Sequence, residues 1–260
     1  TLQGLFRNPL ADPGLIGVSA GGALGAVLSI VLLQTFSNDN NMGIFLIPSS
    51  AIFGSLTVIG IIYIITSGFN KSGIMYMLLV GIALNAIATV GIGFLTFISS
   101  DSQLRNITFW MMGSYGSANW ILLLPAIFVI SASTIILISI SRKLDIMQLG
   151  EIEAYRVGVD IKKTKMIIII STAIMIGASV SLSGIVGFIG LVVPHLVRLL
   201  GGANHRYLLL GSALMGVIIS VNADLFSRIV IQPAEIPIGL ATSALGAPFF
   251  LWLVLRLRER

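Results

Sequence analysis

Long uncharged stretches alternate with short charged gaps along this 260-residue chain. Residues 13–38, 40–70, 72–100, 106–141, 166–197, 207–223 and 236–255 contain no Asp, Glu, Lys or Arg. A helix needs about 20 apolar residues to cross a bilayer. Dividing the longer stretches at Gly, Pro and polar clusters predicts about eight transmembrane helices. They cover roughly 14–36, 44–66, 74–98, 119–141, 166–183, 186–200, 207–226 and 238–256. Many are apolar on every face, as expected where lipid is the solvent. The run 166–197 must hold two short helices, broken near Ser183, Gly184 and Gly187.

Composition agrees with the pattern. Hydrophobic residues make up 56% of the chain and charged residues 10%, against about 25% charged in an average soluble domain. The expected fold is therefore an all-α polytopic membrane protein, a single transmembrane domain over residues 1–260. A net charge of +5 spread along an apolar chain excludes a nucleic-acid-binding domain. The absence of Cys excludes disulfides and thiolate metal or redox sites. Two His leave little for a His-rich metal centre.

Charge also sets the orientation. With eight alternating spans, all of the 15 basic residues except Arg105 and Arg228 fall on one side. Positive charge collects on the cytoplasmic face, so both ends are expected in the cytoplasm. The opposite loops, around Asn38-Asp39-Asn40-Asn41 and Ser99-Ser100-Asp101-Ser102, hold no base. Trp110, Tyr115 and Trp120 cluster near one external helix end like an interfacial belt. The chain opens on Thr1-Leu2-Gln3-Gly4-Leu5-Phe6, which reads as the end of a helix already within the membrane. We therefore expect it to be N-terminally incomplete.

The one long charged segment is 142–165, on the cytoplasmic side. Ile146, Leu149, Ile152 and Val157 are spaced to give a short helix an apolar edge. Gly150 and Gly158 can make its turns, with Glu151 and Glu153 on its polar side. Such a segment is a solvated loop or a docking helix for a cytoplasmic partner. The nearest look-alike to a nucleotide-binding loop, Gly68-Phe69-Asn70-Lys71-Ser72, lacks the required glycine spacing. Any ATP-driven step therefore belongs to another chain. Ion-coupled carriers place acidic or basic residues inside their spans. Here Asp224, Arg228 and Glu235 sit at or beyond one external helix end, which argues against an ion-coupled secondary transporter, the main alternative.

Several residues have both a functional and a packing reading. Gly14, Gly17, Gly21, Gly22 and Gly25 line the start of the first span, where small residues let helices approach closely. Asn85 and Thr89 lie one turn apart within a span and could face a translocation path or make interhelical hydrogen bonds. Pro9 and Pro13 bracket a turn. Pro194 is expected to end a short helix, with His195 hydrogen-bonded at that end rather than ligating a metal.

Four segments, in order, carry a family resemblance. Arg7-Asn8-Pro9-Leu10-Ala11-Asp12-Pro13-Gly14-Leu15-Ile16-Gly17-Val18-Ser19-Ala20-Gly21 is the first. Gly187-Phe188-Ile189-Gly190-Leu191-Val192-Val193-Pro194-His195-Leu196-Val197-Arg198 is the second. Ala223-Asp224-Leu225 with Arg228 and Glu235-Ile236-Pro237-Ile238-Gly239 form the third, and Leu245-Gly246-Ala247-Pro248-Phe249-Phe250 the fourth. Together they resemble the FecCD-type permeases, membrane subunits of bacterial ABC importers for iron-siderophores, haem and vitamin B12.

The resemblance implies a ten-helix permease of which these are the last eight helices. It implies a second permease subunit, identical or different, two ATPase subunits carrying ATP and Mg, and an extracytoplasmic substrate-binding protein. The chain itself would hold no cofactor or metal, catalyse nothing, and sit in the bacterial cytoplasmic membrane. Gly150, Glu151, Glu153, Ala154 and Gly158 would belong to the ATPase-coupling region. Arg228 would face an acidic residue of the binding protein, while Asp224 offers it an i,i+4 pair within the helix.

Overall fold

The computed structural model describes residues 1–8, 11–33, 43–67, 73–116, 118–231 and 234–258. Pro9, the polar loop at 37–41, the look-alike at 68–72 with Lys71, and Arg260 lie outside them. The regular elements among the described residues are all helices, with no strand. In chain order the α-helices are α1 (Leu2–Leu5), α2 (Val18–Leu28), α3 (Gly43–Ser67), α4 (Gly73–Phe97), α5 (Asp101–Met112) and α6 (Trp120–Ser139). They continue with α7 (Ser141–Gln148), α8 (Glu151–Arg156), α9 (Ile161–Ser183), α10 (Ile189–Gly201), α11 (His205–Ile229) and α12 (Ile238–Arg258). A 3₁₀ turn at Pro13–Ile16 precedes α2, and a π-helical turn at Ser29–Leu33 extends it.

Five helices are long and apolar enough to cross a membrane: α3, α4, α6, α9 and α11. The segments containing α2, α10 and the described apolar part of α12 are shorter. At 1.5 Å per residue, the 13-residue α10 is about 20 Å long, less than the hydrocarbon thickness. Each expected span overlaps a helix among the described residues, and five of these helices have the length and apolarity to cross. The expected break between the fifth and sixth spans falls at 184–188, where α9 ends at Ser183 and α10 begins at Ile189.

Prolines do not punctuate these helices as they would in water. Pro48, Pro125, Pro194 and Pro248 all lie inside helices. Pro194 thus does not end α10, which runs seven residues further to Gly201. Neighbouring helices and local adjustment can satisfy the carbonyl that a proline frees.

The centre of the bundle is α2, α3 and α9. Half of the apolar window of α9 is buried, against 11% for α11. A Cβ on Gly21 would stand 2.7 Å from the Gly54 carbonyl of α3, and one on Gly25 would overlap the Ser50 carbonyl. These two glycines, four residues apart, therefore set the α2–α3 backbone approach. Ser55 donates to the Val18 carbonyl at 3.1 Å. On the other side of Ser55, a Cβ on Gly177 of α9 would lie 3.2 Å away.

Contacts define two poles. At one, α7 and α8 meet α1, the start of α9 and the start of α11. At the other, backbone bonds stitch the chain together: Ser114 donates to Ser183, Ile238 to Gly113, and Ile236 to Ser227. The helix α5 lies at this second pole and was not anticipated. It starts with a reciprocal capping box between Ser100 and Gln103, and Gln103 also donates to the carbonyl of Val31 at 3.2 Å.

Candidate functional site

The segment 142–165 folds as two short helices, α7 and α8, meeting at an elbow, followed by the first turn of α9. Gly150 at φ 134° and Gly158 at φ 90° bracket α8, conformations that L side chains rarely adopt. Ala154 is fully buried and Val159 nearly so, and both join the main apolar core. They are the foot of the elbow, and the Val159 N–H donates to the Ala154 carbonyl at 3.0 Å. Its outer surface carries Leu149, Ile152, Tyr155 and Val157, each at least 70% exposed. Ile146, expected on the same edge, instead packs against the core.

The two acidic residues of α8 have different partners. Lys165 of α9 donates to Glu151 at 2.8 Å, and Arg156 donates to Glu153 at 3.0 Å. The first pair bridges two helices and is partly sheltered. The second is an exposed i,i+3 pair, a type worth little on its own.

Asn85 and Thr89 line a cavity of about 360 Å³, together with Asp12, Ser19 and Met111. The Thr89 hydroxyl donates to the Asn85 carbonyl of its own helix at 2.8 Å. Gly17 packs against α4 rather than lining this cavity: a Cβ there would lie 3.0 Å from the Gly81 carbonyl. Gly21 lines a second, larger cavity of about 700 Å³ between α2, α3 and α4. Leu24, Leu28, Phe53, Ile61, Leu84 and Ile87 make that cavity chiefly apolar.

At the opposite pole, Arg228 occupies the last turn of α11. Its guanidinium forks onto Asp224, with Nε 2.9 Å from Oδ2 and Nη2 3.3 Å from Oδ1. Nη1 also reaches Glu235, just before α12, at 3.4 Å. The anticipated pair is thus part of a triad with two carboxylates, and it ties α11 to the entry of α12.

Two further features differ from the sequence reading or lie outside it. His195 lies inside α10, and neither buried ring nitrogen has a hydrogen-bond partner among the described residues. Its expected hydrogen bond is absent because Pro194 does not end the helix. The second is a polar cluster around α7. Asp145 accepts from His205, Gln148 donates to the Gly4 carbonyl, and Arg7 donates to the Met147 carbonyl. These pairs are 60, 144 and 140 residues apart in the chain, so no local pattern announces them. Among the described residues no group of three or more His, Asp or Glu could hold a metal ion.

A helical bundle with apolar spans, a charged elbow at one pole and an Arg–carboxylate triad at the other defines a polytopic membrane protein. Residues 1–256 match the FecCD transport family, and the chain belongs to that family. It is 45% identical over 259 residues to the hemin transport system permease protein HmuU of Yersinia pestis, covering 100% of this chain and 77% of that one. It is 36% identical over 266 residues to the vitamin B12 import system permease protein BtuC of Escherichia coli O9:H4, covering 99% and 77%. A solved structure described as an inward-facing metal-chelate type ABC transporter superposes with a TM-score of 0.89. It is 33% identical and the match covers 98% of this chain and 79% of that one.

Proposed function

We propose that this chain is the membrane-spanning permease subunit of an ATP-binding-cassette importer. Its substrate is an iron chelate, a siderophore or haem, crossing a bacterial cytoplasmic membrane. Eight apolar helical segments correspond to the last eight of a ten-helix permease, with both ends cytoplasmic. A second permease subunit completes the path, and two ATPase subunits bind ATP and Mg. Greater identity to the hemin permease than to the vitamin B12 permease favours haem or a similar chelate over cobalamin.

The observation that carries the reading is the exposed apolar face of the α7–α8 elbow. Leu149, Ile152, Tyr155 and Val157 are exposed beside Glu151, Glu153 and Arg156, and in this reading they face the cytoplasm. A soluble surface seldom leaves four large apolar side chains together without a partner. A groove on an ATPase would cover them, as grooves accept amphipathic helices generally. Transport then proceeds by alternating access. The binding protein delivers substrate near Arg228, ATP closes the ATPase dimer, and the elbow passes that motion to the helices. Asn85 and Thr89 face the path from α4, while Gly17 and Gly21 hold α2 against α4 and α3.

Affinity purification from membranes that also express a candidate ATPase partner tests this. Stoichiometric recovery of the ATPase is expected. Its absence from a folded, detergent-stable permease would reject the reading.

A further inference from the structure

One end of α11 is held by a residue outside its own chain neighbourhood. Helix N-termini leave backbone N–H groups without intrahelical partners. In α11, Asn204 accepts from the N–H groups of Arg206 and Tyr207. The first N–H, of His205, donates instead to Asp145 of α7 at 3.0 Å. The ring Nδ1 of the same histidine lies 2.6 Å from the same oxygen, Oδ1. One carboxylate thus takes two bonds from one residue, which fixes both the position and the rotation of the helix start.

The surroundings leave little play. His205 is 4% exposed, and its ring lies against Gly4, where any Cβ would overlap Nε2. α7 also holds α1 directly, through Gln148 to the Gly4 carbonyl and Arg7 to the Met147 carbonyl, both at 2.7 Å. Val193 and Val197 of α10 bury against Leu208 of α11, so α10 is packed onto the same rod. α7 leads through Leu149 and Gly150 into α8.

The other end of the rod is the Arg228 triad. α11 has 25 residues and no proline, giving a length of about 37 Å. A continuous helix therefore runs from the flank of the elbow to the external pole.

We infer that the Asp145–His205 pair is the joint by which α11 transmits between binding-protein docking and the ATPase-coupling elbow. His205 is a positioning residue in this account, and the inference rests on the function proposed above. A part-buried polar pair is weak evidence for stability, since its hydrogen bonds largely replace those to water. A rigid two-bond attachment, by contrast, lets displacement of one helix move the next.

The experiment uses the full permease–ATPase complex in nanodiscs, comparing basal ATPase activity with activity stimulated by loaded binding protein. In His205→Ala the ring bond is lost, and stimulation should fall at least about five-fold, the low end of usual coupling between sites. Basal activity should stay unchanged. In His205→Asn, the amide nitrogen can replace Nδ1 as donor to Asp145, and stimulation should be largely retained. Full stimulation in His205→Ala would overturn the inference, as would equal loss in both variants. Should His205→Ala not assemble, Asp145→Ala is read by the same ratio, and an unchanged ratio overturns it. Loss of ATPase from the unsubstituted complex would instead count against the proposed function.

Discussion

Lys165 Nζ lies 2.8 Å from Glu151 Oε1, joining the first residue of α8 to the first turns of α9. The lysine side chain is 21% exposed and the glutamate 40%, so the pair is partly screened. Since α9 is the most buried of the five long helices, this contact places the elbow in direct register with the bundle centre. Glu151→Lys sets two ammonium groups against each other and should uncouple transport while leaving the fold intact. The stability change should be small, on the order of 1 kcal/mol or less. The double variant Glu151→Lys with Lys165→Glu restores opposite charges and should recover uptake. Uptake assays on the two single variants and the double variant measure this. Failure of the swap to recover any activity would mean that Glu151 acts on a partner chain instead.

The exposed face makes a separate prediction. Ile152→Asp should weaken ATPase capture strongly, because buried apolar anchors dominate interfaces and their loss costs about 2 kcal/mol or more. Val157→Asp should act in the same direction. The measurement is ATPase recovered per permease after affinity purification. Equal recovery in both variants would leave the apolar face without its proposed partner.

The expectations that succeeded rest on strong, local signals. Lipid requires long apolar helices, so α3, α4, α6, α9 and α11 follow from uncharged runs. The break before α10 follows from Ser183, Gly184 and Gly187 within a run too long for one helix. Gly150 and Gly158 needed no tertiary knowledge either, because positive φ is intrinsic to glycine. α5 was missed although Ser100 and Gln103 spell a capping box; the polar residues around them read as loop. Pro194 misled because the rule that proline ends helices was learned in water. Long-range polar contacts were invisible. Nothing near Asp145 points to His205, and nothing near Gly4 points to Gln148. Glu235 was legible only as a neighbour of Arg228 at one helix end; their contact depends on how the chain re-enters at α12.

Close packing of α2 on α3 should make Gly25 intolerant of any side chain. Gly25→Ala drives a Cβ into the Ser50 carbonyl, and overpacking of this kind costs about 1–3 kcal/mol. Gly60→Ala is the control, because nothing lies within 4 Å of its added carbon. Thermal unfolding in detergent should show a lower midpoint for the first and an unchanged or higher one for the second. Equal midpoints would contradict the glycine-dependent approach.

Arg228 is bonded to Asp224 and Glu235, so under the proposed docking a carboxylate of the binding protein would compete with partners already in place. The longer contact, to Glu235 at 3.4 Å, is the one to yield. Arg suits such exchange, since its planar fork can hold two carboxylates at once. Arg228→Glu should weaken binding-protein affinity, with the larger effect at low salt, because charges at an exposed rim act mainly on association. Glu235→Gln should strengthen affinity by releasing the guanidinium. Affinities in nanodiscs at low and high salt check both. If neither substitution moves affinity, the triad serves only to tie α11 to α12.

The source of energy is the central claim, and reconstituted uptake addresses it most directly. The permease is placed in liposomes with its ATPase, with ATP inside and haem-loaded binding protein outside, and haem entry is followed over time. Entry should require ATP, the ATPase and the binding protein together, and should persist when proton and sodium gradients are collapsed. Haem entry driven by an ion gradient in liposomes lacking the ATPase would contradict it.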